Sequence, residues 1–93
     1  MMKPERAEAV ALNCLTWLIG NDELRDVFMG AAGLSEAELR RRAGDPELLA
    51  SVLDFILMDD AWVVACCDGN SWSYETVMQA RTALPGGVQV HWT

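Results

Sequence analysis

At 93 residues the chain is long enough for one hydrophobic core and too short for two independent ones. Hydrophobic residues make up 52% of it, so a core forms without metals or disulfides, while 7 basic against 14 acidic residues leave a formal charge of −7. That balance argues against a surface built to neutralise phosphates. Three cysteines (Cys14, Cys66 and Cys67) form an odd count with no framework, which points to a reducing cytoplasm rather than secretion. Glu5 and Glu8 interrupt the apolar residues near the N-terminus, so no signal peptide is read there. AWVVACC, the longest uncharged apolar stretch beside the acidic pair, falls far short of the roughly 20 residues of a membrane span.

The spacing predicts a single all-α domain over residues 1–93, a compact bundle of about five helices. The first helix spans Pro4 to Ile19, with proline in its opening turn and Ala7, Val10, Ala11, Cys14, Leu15 and Leu18 on one face. Gly20 breaks it, and Asn21 caps a short second helix whose apolar stripe is Leu24, Val27, Phe28 and Ala31. Gly33 is a natural left-handed stop. Ser35-Glu36-Ala37-Glu38 then forms a capping box, with Leu34 and Leu39 at the staple positions. Gly44 ends that third helix, and Asp45-Pro46 starts the next.

A long central helix is predicted over 46–67, stopped by Asp68-Gly69-Asn70. Ser73 is expected to cap a fifth helix over 74–84, and the tail 85–93 to lie extended against the body. Laid out at about 100° per residue, the long helix has Leu49, Leu53, Ile56, Val63, Val64 and Cys67 on one face. Asp60 lands within that face and Asp59 on its flank. Asp60 is therefore expected to be buried, held by Arg25, by one of Arg40, Arg41 and Arg42, by the Trp17 indole or by cap N–H groups.

Adjacent helical residues point about 100° apart, so Asp59 and Asp60 do not converge as an acid/base pair. Cys66 and Cys67 diverge for the same reason and are expected to act as small core hydrophobes. His91 is the single histidine, too little for a closed zinc site or for activating a thiol, so no metal and no cofactor is expected. Asp68 to Glu75 superficially offers calcium ligands, but Trp72 and Ser73 stand where a calcium loop needs an oxygen ligand and a glycine. Arg40, Arg41 and Arg42 form the one basic cluster; three consecutive helical residues spread around the axis, and cations there complement a helix C-terminus. Met58 and Trp62 fall on the polar side of the long helix and Trp72 follows just beyond it, a candidate partner-binding patch.

The residues L-x-W-L at Leu15 to Leu18, G-L-S-x-x-x-L-R at Gly33 to Arg40 and D-P-E-L-L-A-S-V-L-D-F-I-L at Asp45 to Leu57 resemble a family of small alphaproteobacterial proteins of unknown function. With Asp59-Asp60 and A-R-T-A-L at Ala80 to Leu84, the chain is similar over about residues 10–84 to the domain-of-unknown-function family numbered 3572. The resemblance implies a small helical bacterial cytoplasmic protein and implies no activity and no catalytic residues. The leading expectation is a cytoplasmic, non-enzymatic interaction or structural protein acting through an apolar surface, with another protein or a second copy as partner and no membrane. A nucleic-acid-associated regulator using Arg40 to Arg42 is the alternative, and an enzyme built on a buried Asp60 stands third.

Overall fold

The computed structural model describes residues 2–84, and the expected extended tail 85–93 lies outside the described residues. Among these residues the chain forms six α-helices and no strand: α1 (Pro4–Ile19), α2 (Asp22–Ala32), α3 (Glu36–Arg41), α4 (Pro46–Leu57), α5 (Asp60–Asn70) and α6 (Thr76–Ala83). The all-α bundle is as the periodicity predicts.

The first four starts follow local chemistry. Pro4 opens α1, which buries Ala7, Val10, Ala11, Cys14, Leu15 and Leu18. Asn21 accepts the Leu24 N–H at the start of α2, and Gly33 ends that helix at φ 70° while Leu34 N–H reaches back to the Met29 carbonyl. Both halves of the capping box form at Ser35 and Glu38, and Leu39 anchors the short α3 in the core. Asp45 caps α4 by accepting the Glu47 N–H.

Helices α1 and α4 form the centre, with α6 packed against both, α2 leaning on α1, and α5 bridging α1, α4 and α6. Leu48, Leu49, Val52, Leu53, Phe55 and Ile56 are buried in α4, so that helix is covered on most sides. The α2 stripe is shallower than its spacing suggests. Only Phe28 is fully buried, and Val27 is 51% exposed.

The predicted long helix is broken. A straight helix over residues 46–67 would run about 33 Å, as long as the body's greatest extent of 32 Å, so its second half would outrun the core. Instead Met58 and Asp59 N–H groups close the last turn of α4 onto the Phe55 and Ile56 carbonyls at 3.2 and 3.3 Å. Asp59 turns extended (φ −140°, ψ 118°), and its carboxylate accepts the Ala61 N–H at 2.8 Å, which starts α5 afresh. The chain folds back, and Cys66 and Cys67 meet the core from a new direction.

The other end of α5 also differs from expectation. The helix continues through Gly69 and Asn70 and stops at Ser71, a left-handed residue at φ 60°. Trp72 N–H reaches the Cys67 carbonyl at 2.9 Å and Ser71 N–H the Asp68 carbonyl at 3.3 Å, the Schellman pattern. Ser73 does not cap the last helix. Its carbonyl accepts the Thr76 N–H, and α6 begins two residues late, at Thr76.

Candidate functional site

Asp60 is corrected first. The break makes it the first residue of α5, exposed at the positive end of that helix rather than buried in an apolar face. The burial on which a proton-transfer role rested is absent. Arg25, one of its expected partners, instead lies 3.5 Å from Asp22 and 3.6 Å from Asp26.

The arginine cluster is dispersed among carboxylates. Arg40 bonds Glu36 at 2.7 Å, Arg41 lies 4.0 Å from Glu38, and Arg42 donates from both Nε and its terminal nitrogen to Asp45. Arg40 holds the Glu36 carboxyl below its usual range, and the Ser35 backbone N–H does the same for Glu38. Arg42, aided by the Glu47 N–H, lowers Asp45 likewise. A phosphate would have to displace these acids, so the cluster lends no support to nucleic-acid binding.

All three cysteines are fully buried free thiols. Cys66 points across to α1, where its sulfur lies 3.7 Å from that of Cys14, while the Val77 N–H approaches the Cys67 sulfur from α6. The neighbours diverge as their spacing predicts. Among the described residues, no group of His, Cys, Asp and Glu converges as a metal site.

The partner patch is partly assembled and partly split. Trp62, half-buried, stacks on Phe55 with ring centres 4.9 Å apart and planes at 21°. Phe55 in turn meets the edge of Phe28 at 5.2 Å and 68°. Two of these rings, Phe28 on α2 and Phe55 on α4, line a shallow groove, and Trp62 braces Phe55 from α5. The backbones of α2 and α4 stay apart, and the groove between them encloses about 270 Å³, lined by Phe28, Ala31, Ser51, Asp54, Phe55 and Met58. Met58 stands at its end, 77% exposed, because the joint before Asp59 turns it outward. Trp72 is elsewhere, half-buried beside a separate depression with Asp68, Tyr74 and Glu75.

Of the α2 stripe expected to face the core, Phe28 does so, while Val27 and Ala31 are exposed. Their stripe is wide enough to be half covered by α1, and only knowing that α2 stands off from α4 would reveal its outer edge. The groove has acidic edges. Glu47, Ser51, Asp54 and Met58 recur at four-, three- and four-residue spacing along one exposed line of α4, and Glu23, Val27 and Ala31 do so along α2. Asp54 accepts from Arg81 Nε at 2.6 Å.

The class is thus a small all-α bundle with an aromatic-lined surface groove. The chain matches the family model described as "Protein of unknown function (DUF3572)" over residues 4–87 and belongs to that family. No curated protein and no solved structure matches the chain. No helix among the described residues is long and apolar enough to cross a membrane.

Proposed function

We propose that this chain is a non-catalytic interaction module of the bacterial cytoplasm whose α2–α4 groove takes an amphipathic helix with basic flanks from a different protein. The observation that carries this reading is Met58, 77% exposed at the end of a groove whose lining includes the Phe28 and Phe55 rings, which meet edge to face. An exposed Met beside two largely covered rings suits apolar anchors spaced one helical turn apart. The exposed carboxylates of Glu23 and Glu47 select Lys or Arg on the flanks of that helix. They also disfavour a second copy of this chain, whose formal charge of −7 would meet its own sign. The three unpaired thiols support the cytoplasmic setting.

The test uses two synthetic helical peptides with leucines at i and i+4, one flanked by lysines and one by glutamates. Amide NMR shifts at Ala31, Phe55 and Met58 are expected with the basic peptide alone, weakening with salt and lost in Met58→Ser. Response to neither peptide, or shifts confined to other surfaces, would overturn the reading. Concentration-dependent dimerisation abolished by Met58→Ser would instead make a second copy the occupant and refute the basic-helix partner.

A further inference from the structure

The Cys14–Cys66 contact stands apart from the groove and rests on different observations. The two sulfurs are 3.7 Å apart, one on α1 and the other on α5, and both are fully buried. A disulfide needs them at about 2.05 Å, so closure draws the two sulfurs together by about 1.6 Å. Cys67 does not compete, because its sulfur is directed toward Val77 on α6. Asn70 completes the surroundings of Cys66, with its side-chain amide 2.9 Å from the Cys66 carbonyl and 3.8 Å from the sulfur.

We propose that Cys14 and Cys66 are a site of reversible covalent modification, an intramolecular disulfide formed by hydroperoxides that pins α5 to α1. The chemistry starts at Cys66. Its thiolate accepts a hydrogen bond from the Cys14 thiol and from Asn70, which lowers its pKa, while giving that bond pushes Cys14 up. The Cys66 thiolate attacks one peroxide oxygen, the O–O bond breaks, and hydroxide leaves (water, once protonated). The resulting sulfenic acid is then attacked by the Cys14 sulfur, whose proton leaves with the departing hydroxide as water. Two thiols lose two electrons, and hydrogen peroxide is reduced to two waters. A dithiol reductant reverses the bond by exchange.

Neither sulfur touches solvent, so the oxidant enters when α5 opens locally, and the rate follows that opening. Asp59 caps the first turn of α5 and Ser71 closes its last, so weakening the Asp59 cap favours that opening. The site is distinct in this from exposed redox-sensor thiols, which react directly. The pin also fixes the helix that carries Trp62, which stacks on Phe55.

The experiment is oxidation of the full chain with hydrogen peroxide under native conditions, followed by mass measurement and non-reducing peptide mapping. The expected product has lost the mass of two hydrogen atoms, carries the Cys14–Cys66 cross-link in the parent chain and in Cys67→Ser, and reverts with a dithiol. The melting temperature of the oxidised Cys67→Ser chain should rise by roughly 10 °C or more, since the link closes a long loop. Asp59→Ala should speed the oxidation severalfold. Thiols that stay reduced, a random mixture of the three pairings, over-oxidation without a cross-link, or a lower melting temperature after cross-linking would each overturn the proposal. None of these outcomes bears on peptide binding in the groove.

Discussion

Replacing Asp59 by Ala tests whether the joint between α4 and α5 is a true helix start. The Asp59 carboxylate accepts the Ala61 N–H at 2.8 Å, and alanine leaves that donor without a protein partner. Losing such a cap costs about 1 kcal/mol, within a range of roughly 0.5–2. For a domain of this size that is a fall in melting temperature of roughly 4–8 °C. Asp60 sits one residue into the helix and exposed, so Asp60→Ala removes only a favourable charge near the positive end, about 0.3–0.5 kcal/mol. Asp59→Asn is the control, because asparagine caps as well as aspartate and should unfold within a few tenths of a kcal/mol of the parent. Urea unfolding followed by tryptophan fluorescence reads all three, with four tryptophans in the chain. A larger loss from Asp60→Ala than from Asp59→Ala would refute the broken helix. That order belongs to a continuous helix with Asp60 inside.

The two left-handed helix ends predict changes of opposite sign. Ser71→Gly relieves the strain at φ 60° and should stabilise by about 0.5–1 kcal/mol in the same unfolding assay. Gly33→Ala should destabilise by about 1 kcal/mol although nothing lies within 4 Å of the added methyl group, because φ 70° itself is unfavourable for alanine. The Asp45 pKa lies below its ordinary value chiefly because Arg42 donates to the carboxylate, so this pair stabilises the fold above the unfolded pKa and ceases to as pH falls through the folded one. Acid titration monitored by circular dichroism should therefore show the stability gap between the parent and Asp45→Asn closing as pH falls through and below the ordinary aspartate range.

Most helix starts were legible because each is written in a few adjacent residues: Asn21, Ser35 with Glu38, and Asp45-Pro46 all cap as their chemistry dictates. The stripe of α1 was legible because a helix packed on several neighbours leaves a clean period. The joint at Asp59 was not, although an aspartate pair before an apolar run is also a cap signal. There the periodicity of Leu49, Leu53 and Ile56 runs on into Val63 and Cys67 in phase, and period alone does not register one extended residue. Only the size of the body decides it. Met58 is exposed as its place on the wheel suggests and Trp62 is half-buried against Phe55; Phe28 is core as its stripe predicts, whereas Val27 is exposed because α2 leans on α1 and stands off from α4.

The bond from Arg81 to Asp54 has a wider meaning. Among ion pairs between described residues it joins positions 27 apart, while every other pair links neighbours within four positions. Local pairs steady a single turn and carry no information about which helix packs on which. Among the described residues, which helix packs on which is therefore set by the shapes of the buried side chains, with this ion pair linking α4 to α6. The local ion pairs stay within one helix or its ends, so replacing any of them would leave that packing unchanged.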